Sequence, residues 1–283
     1  MNTQPSEKRR LKSILVALAV SLICCHLSCP SFGHESFLPE KEERKAGDRM
    51  TLTIKDVEYA FRWCPPGTFI MGSPVNELGR TGNGQQRQVT LEHGFWMLET
   101  PVTQVMWKTV MGLNPSQTKG DKLPVGMVSW NDCQEYITKL NELDIAPTGF
   151  KFSLPMETQW EYACRAGTTT AWHFGDTVNR NQANVDRNLE RMSEVRSYPA
   201  NAWGLFDMHG NVGEWCADLF NTYPPSNLIT DDMRELRGHR VRRGGAWDVD
   251  ASWSRSAART GAASTSRVNS MGLRLVLVFL NKD

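Results

Sequence analysis

The 283-residue chain is 40% hydrophobic and 22% charged, a composition that can bury a sizeable core and fits one large globular domain better than two small ones. Its 32 basic and 31 acidic side chains leave a formal net charge of +1, so no overall field draws it to nucleic acid or to an acidic membrane surface. We therefore expect no nucleic-acid partner.

The N-terminus has the features of a secretory signal peptide. Basic residues at 8–12 precede an apolar run at 14–25 that is too short to span a bilayer, and the sequence SFG at 31–33 offers small residues for cleavage. Residues 1–33 are thus predicted to be removed, leaving an exported protein (periplasmic or extracellular) with no transmembrane segment. A lipoprotein processing site at Cys29 and a retained membrane anchor are the competing interpretations.

A charge-rich segment at residues 34–49 is predicted to be a linker, and the folded domain is predicted to cover residues 50–283. Alternating apolar and polar residues within that domain predict strands. These predicted strands cover residues 50–54, 68–71, 88–91 and 273–279.

Three helices are predicted from their end signals. Thr103 begins a helix that Gly112 stops, and Ser129 begins a second with capping-box spacing. Pro155 is expected in the first turn of a third helix, which Gly167 closes. Because helices and strands are unevenly mixed among long loops, the fold class is predicted to be α+β.

Four cysteines remain beyond the signal peptide: Cys64, Cys133, Cys164 and Cys216. An exported protein can form disulfides, and four cysteines allow three full pairings, between which the sequence does not choose. No two of them have metal-ligand spacing. The alternative is that all four are small buried thiols of the core.

The stretch GLFDMHGNVGEW sets two carboxylates among three glycines and several large apolar residues. Calcium binds six to eight oxygens and accepts carbonyls beside carboxylates. Asp207 and Glu214 could supply carboxylates, and Gly210 and Val212 could supply carbonyls, around one ion. The alternative is structural, with Asn211 and Glu214 forming a helix N-cap and its returning acid while Asp207 bonds within a turn.

Nine short segments then occur along the chain in a specific order. They are GTFIMGS (67–73), TPVTQVMW (100–107), NPS (114–116), LPVGMVSWNDC (123–133), SLPMETQWEYACRAGTTT (153–170), ANVD (183–186), GLFDMHGNVGEW (204–215), RVRRGGAW (240–247) and AARTG (257–261). In these segments the chain resembles the sulfatase-modifying factor family, whose best-known member is the formylglycine-generating enzyme. The resemblance implies a single loop-rich domain of the formylglycine-generating type, related to C-type lectin-like folds.

The resemblance also implies two calcium sites. The four positions of one site are Asp207, Gly210, Val212 and Glu214, as above. Asn184 and Val185 match the first two ligands of the other site, but the acidic segment expected after them is shortened here to DRNLERMSEVRS. Either Asp186 or Glu190 could substitute, and an Asn-centred turn without an ion is the alternative.

At the catalytic positions the chain departs from the family. The enzyme proper holds copper(I) with two cysteines that follow a Gly-Gly-Ser motif, since thiolates are the soft ligands that copper(I) prefers. In this sequence Val249 and Ser254 stand at the two cysteine positions, and Ala246 replaces the serine. Gly213 stands where relatives often carry tryptophan. We therefore expect neither bound copper nor a catalytic residue set of the known kind.

No other catalytic pattern replaces the cysteine pair. The histidines at positions 93, 173, 209 and 239 are scattered and are expected to be structural, hydrogen-bonded residues. Arginines within residues 234–243 could form an anion-binding rim, or they could pair with the acidic residues Asp231, Asp232 and Glu235.

Two functional classes follow from this sequence. The first is an exported, calcium-stabilised binding or accessory module that acts as a monomer on a protein, peptide or glycan ligand. The second is an oxidase of the formylglycine type, which converts a sulfatase cysteine to an aldehyde. The absence of both copper-binding cysteines favours the first class.

Overall fold

The computed structural model describes residues 44–80, 84–220 and 238–280, all of which fall within one compact unit spanning residues 43–283. The predicted signal peptide and most of the predicted linker lie outside the described residues. Among the helices of the described residues, none combines the length and the apolar character needed to cross a membrane.

The described residues contain eleven strands and three α-helices. The strands are β1 (Arg49–Ile54), β2 (Val57–Cys64), β3 (Gly67–Met71), β4 (Arg87–Leu91), β5 (Phe95–Leu98), β6 (Phe150–Ser153), β7 (Gly213–Leu219), β8 (His239–Arg243), β9 (Thr260–Ala263), β10 (Met271–Leu273) and β11 (Val276–Phe279). The helices are α1 (Gln104–Met111), α2 (Trp130–Glu142) and α3 (Glu157–Arg165). Long irregular segments separate these elements, which makes the fold α+β and loop-rich, as predicted.

Two main sheets organise the domain. The first has the order β1-β2-β5-β11-β6, with every neighbouring pair antiparallel. The second has the order β10-β7-β8-β9, in which only the β10–β7 pair is parallel. A separate hairpin joins β3 to β4. One apolar cluster, which includes Trp107, Tyr136 and Trp215, fills the space between α1, α2 and the sheets.

The predicted caps of the first two helices are confirmed. The side chain of Thr103 accepts from the backbone N–H of Met106, and α1 ends at Gly112 in the left-handed conformation. At the start of α2, the Ser129 hydroxyl accepts from the Asp132 N–H while the Asp132 carboxylate accepts from the Ser129 N–H. Both helices therefore begin where local side-chain bonds satisfy their free N–H groups.

The prediction for the third helix was wrong at its start and differs by one residue at its end. Pro155 precedes the helix instead of lying in its first turn, and Met156 is the N-cap. The backbone N–H of Met156 donates to the Gln159 side chain over 2.9 Å, and the helix begins at Glu157, two residues after Pro155. At the other end Ala166, and not Gly167, is the first residue with left-handed backbone.

The predicted strand at residues 273–279 is in fact two strands that belong to different sheets. β10 pairs with β7, whereas β11 pairs with β5 and β6. The chain changes sheets at Arg274, whose side chain is fully buried. Arg274 is the one charged residue in the predicted strand, and the break falls directly after Leu273, where this arginine stands.

The four cysteines of the domain are buried and unpaired in the structure: Cys64, Cys133, Cys164 and Cys216. Burial raises the pKa of each thiol, in the case of Cys164 to about 12. They are therefore neutral thiols packed in the core, which agrees with the second of the two interpretations above.

Candidate functional site

A pocket opens at the edge of the second sheet, where β7, β8 and β9 meet the loop at residues 244–250. Its volume is about 170 Å³, and its lining includes Gly213, Arg242, Ala246, Val249 and Trp253. We refer to it as the sheet-edge pocket. Three positions at which this chain departs from the family pattern, at residues 213, 246 and 249, therefore lie around one cavity.

The residues at the copper positions do not fit copper(I). Val249 lines the pocket but carries no donor atom, and Ala246 beside it is buried and equally inert. Ser254 is fully buried, and its hydroxyl accepts from the Trp172 indole over 2.9 Å and donates to the carbonyl of Ala251 over 2.7 Å. The hydroxyl of Ser254 thus has a structural role, and no cysteine is among the described residues that line the pocket.

Gly213 makes room for an arginine in this pocket. A Cβ atom at residue 213 would lie 3.3 Å from Nη2 of Arg242 and 3.1 Å from the carbonyl oxygen of Gly245. Both contacts are tighter than most real Cβ contacts. A bulky side chain at position 213 would therefore displace the guanidinium of Arg242.

The arginines near the pocket differ in their partners. Arg243 is fully buried and forms an ion pair with Glu161. Arg259 donates to both carboxylate oxygens of Glu157, from Nε over 2.6 Å and from Nη2 over 2.7 Å. These partners on α3 were not predicted from the sequence, and the acidic residues that were predicted lie outside the described part of the chain. The side chain of Arg242 makes no hydrogen bond or ion pair with any described residue.

Burial lowers the pKa of Arg242, and the nearby carboxylate of Asp248 acts in the opposite direction. Asp248 does not form an ion pair with this arginine. One of its oxygens accepts from the Ser270 hydroxyl over 3.0 Å, and its other oxygen has no hydrogen-bond partner among the described residues. Arg242 is therefore a partly buried cation that lines a cavity, and Asp248 is the one anion among the described residues that acts on its pKa.

The structure brings the two predicted calcium segments side by side. Asn184 and Gly210 form a parallel bridge, and the backbone N–H of Asn211 donates to the carbonyl of Asn184 over 2.8 Å. Asp207 is buried nearby and accepts from the Arg196 N–H over 2.9 Å. Burial raises the pKa of Asp207 to about 6.

Glu214 already has partners for both of its carboxylate oxygens. Oε1 accepts from Nη2 of Arg274 over 2.7 Å, and Oε2 accepts from the Trp160 indole over 2.6 Å. In this arrangement Glu214 does not fit a calcium ligand, because the guanidinium supplies the positive charge that the ion would supply. The alternative N-cap interpretation was wrong, since residues 213–219 form strand β7 and not a helix.

Asn184 fits an ion ligand better. Its side chain is fully buried, its Nδ2 donates to the carbonyl of Arg191 over 2.9 Å, and its Oδ1 has no partner among the described residues. A buried amide oxygen without a donor calls for a cation or an ordered water. Val185 follows it in the chain and is also buried. Within the described ranges, no three His, Cys, Asp or Glu side chains form a group that could hold a metal ion.

His209 is a structural histidine, as expected. Its Nδ1 lies 2.6 Å from the carbonyl oxygen of Ser254, and its Nε2 accepts from the backbone N–H of His173 over 3.1 Å. Burial lowers the pKa of His209 to about 3, so the ring is neutral. The Cys164 thiol lies 3.6 Å from Nε2, but with these pKa values the pair is a neutral packing contact and not a nucleophile with its base.

Comparisons with known proteins agree with the motifs. The family described as "Sulfatase-modifying factor enzyme 1-like domain" matches residues 55–278. The chain is 31% identical over 191 residues to the formylglycine-generating enzyme of Streptomyces coelicolor, covering 59% of this chain and 57% of that protein. It is 30% identical over 151 residues to the inactive C-alpha-formylglycine-generating enzyme 2 of Mus musculus, covering 49% and 44%. The chain thus spans about half the length of these two relatives.

The fold is also that of a solved structure. The Treponema denticola variable protein 1 superposes with a TM-score of 0.71 and 24% identity, covering 81% of this chain and 98% of that chain. At this identity the likeness establishes the fold and not a shared ligand.

Proposed function

This chain belongs to the sulfatase-modifying factor family, and on that premise we propose that it is an exported, calcium-stabilised binding or accessory module and not an oxidase. The observation that carries the proposal is the chemistry of the sheet-edge pocket. Valine and alanine occupy two of the three family positions for copper chemistry, and the hydroxyl of Ser254 is bonded to Trp172. Without a thiolate, the pocket has no soft ligand with which to hold copper(I).

A binding role suits what remains of the site. The pocket is small and largely apolar, and one lining guanidinium, that of Arg242, has no ion-pair partner among the described residues. Apolar walls with a few polar groups that fix orientation are the common design of a ligand site. We propose that a protein, peptide or glycan presents a group to it. The mouse relative whose name describes it as inactive supports the idea that this domain also occurs without the oxidase reaction.

Calcium is proposed as a stabilising ion held at the Asn184 end of the paired segments. The unpartnered Oδ1 of Asn184 supports this placement. The same segment braces the pocket, since the backbone N–H of Asp186 donates to the carbonyl of Val249 over 3.0 Å and that of Arg187 to the carbonyl of Trp247 over 2.7 Å. An ion at Asn184 would therefore stiffen the loop that carries the pocket wall.

The test is a direct assay of the oxidase reaction together with metal analysis. The purified protein is incubated with a sulfatase-derived cysteine peptide, with and without added copper(I), beside the Streptomyces coelicolor enzyme as positive control. We expect no aldehyde product by mass spectrometry, and calcium without copper in the protein. Aldehyde above background would replace this proposal with the oxidase.

A further inference from the structure

The sheet-edge pocket contains a cation whose counter-charge the described residues do not supply. Arg243 and Arg259, its neighbours in the lining, are each paired with a glutamate of α3. Arg242 is half-buried, makes no ion pair with a described residue, and has an Nε atom without a hydrogen-bond partner. Burying a charge without a partner is costly. An arginine in this environment is therefore suited to bind an anionic ligand that supplies the missing counter-charge.

The pocket around Arg242 is shaped for that guanidinium. Gly213 leaves the space that Nη2 occupies, and a Cβ there would approach it to 3.3 Å. Apolar surface from Val249 and Trp253 borders the same cavity, and Thr260 adds a hydroxyl. A fixed fork of N–H donors beside apolar walls is the arrangement that recognises a planar acidic group.

The charge balance favours a singly charged ligand. Arg243 and Arg259 are neutralised by Glu161 and Glu157, so Arg242 is the one lining cation without a bonded partner among the described residues. Asp248 lies close enough to act on the pKa of Arg242, and its negative charge would repel a dianion more strongly than a monoanion. A carboxylate suits this site better than a phosphate.

The size of the cavity limits what enters it. At about 170 Å³ it is smaller than the roughly 300–1,000 Å³ of pockets that enclose drug-sized ligands. It has room for one acidic group with a short stem, which is the end of a ligand and not the whole of it.

We propose that the sheet-edge pocket binds a carboxylate through the guanidinium of Arg242. The inference rests on the proposed function, since a copper-bearing pocket would place metal ligands at the same wall. The carboxylate comes either from an acidic side chain of a peptide or from a free small acid, and the two sources share the same chemistry at Arg242.

The test follows the Nε resonance of Arg242 in the intact protein labelled with [15N]arginine, assigned by its loss in Arg242→Lys. The probes are N-acetylglutamate, the peptide acetyl-Gly-Glu-Gly-amide, their glutamine counterparts and inorganic phosphate. We expect both carboxylate probes to shift the resonance and the glutamine counterparts to leave it in place. Tighter binding of the peptide assigns the carboxylate to a peptide, and tighter binding of the free acid assigns it to a small molecule.

Variants separate the site from a general charge effect. Arg242→Gln should weaken binding of the carboxylate probe by about tenfold or more, since it loses a charge-assisted fork. Arg180→Gln removes the same charge from an exposed position and should leave the affinity unchanged. Gly213→Ala, which keeps every charge, places a Cβ atom 3.3 Å from Nη2 of Arg242 and should weaken binding by shifting the guanidinium by a few tenths of an ångström. If Arg242→Gln fails to fold, the Gly213→Ala titration and the wild-type Nε shift decide the question.

Three outcomes would overturn the inference: equal binding of glutamate and glutamine probes, phosphate binding as tight as carboxylate binding, or unchanged affinity in Arg242→Gln. The formylglycine assay run on the same sample keeps the two proposals apart. A sample that forms no aldehyde and binds no carboxylate removes only this inference. One that forms aldehyde removes the proposed function whatever it binds.

Discussion

Arg274 lies with its guanidinium against the carboxylate of Glu214, with Nη2 2.7 Å from Oε1 and Nε 3.0 Å from Oε2, and both side chains are buried. The same guanidinium donates to the carbonyls of Leu98 and Phe206. The side chain of Arg274 thus connects β7 to the end of β5 and to the loop that precedes β7. It lies at the point where the chain passes from the second sheet to the first.

Removing one partner of this pair should be strongly destabilising. Glu214→Gln leaves the Arg274 charge buried without its anion, and we expect a loss of about 3–5 kcal/mol in the free energy of unfolding, measured in urea. The control is Glu135→Gln, which breaks the exposed pair with Lys139 and should cost less than about 1 kcal/mol. A cost for Glu214→Gln as small as that of the control would contradict the structural role of the pair.

Calcium should raise the melting temperature of the wild type, through Asn184. An ion that binds only the folded state stabilises it by about 2.7 kcal/mol at one hundred times its dissociation constant, which is several degrees for a domain of this size. Asn184→Ala should abolish that increment.

The matched control for this experiment is Asn181→Ala, because Asn181 is exposed and lies in the same segment. It should keep the full difference between calcium and chelator. If the wild type has the same melting temperature in calcium and in chelator, and no bound ion is found, Asn184 is a turn residue and not a calcium ligand.

The extent to which the sequence predicts this fold depends on how local the determining contacts are. The starts of α1 and α2 were predictable because Thr103 and Ser129 bond to backbone groups only three residues away. Strand β7 was missed because its first four residues are all buried, so no alternation marks it. Its neighbours β8 and β10 come from distant parts of the chain.

The same limit applies to the site. The substitutions at Val249 and Ala246 were visible in the sequence, and the structure places both at one pocket. The partner of Arg243 was not visible, because Glu161 lies 82 positions away. Nor could the sequence distinguish Arg242 from Arg243, since only the structure shows that Arg243 pairs with Glu161 and that Arg242 has no ion-pair partner among the described residues.

The four thiols of the domain should be unreactive in the native protein. Burial raises their pKa values, and the thiolate is the reactive form. We expect iodoacetamide, used without reductant, to leave them unmodified under native conditions and to modify all four in urea, as read by peptide mass spectrometry. A residue that stays protected in urea until reductant is added would show a disulfide instead.

Stability should fall on mild acidification because of His209. Its pKa is lowered to about 3 in the folded state by burial, whereas an unfolded histidine titrates near pH 6.5. Between these two pH values the unfolded state binds a proton that the folded state does not. The contribution of His209 to the free energy of unfolding is therefore fully present above about pH 6.5. It decreases as the pH falls below that value, by up to ~1.4 kcal/mol per pH unit. His173, with its pKa lowered to about 4, acts in the same direction.

The comparison that isolates His209 is the urea midpoint of the wild type and of His209→Gln at pH 7 and at pH 5. Glutamine can still donate to the carbonyl of Ser254 and accept from the N–H of His173, but it does not titrate. We expect the variant to be less stable than the wild type at pH 7, and the difference between the two to shrink at pH 5. If both proteins lose the same free energy between these pH values, the pKa of His209 is the same in the folded and unfolded states, and burial does not lower it.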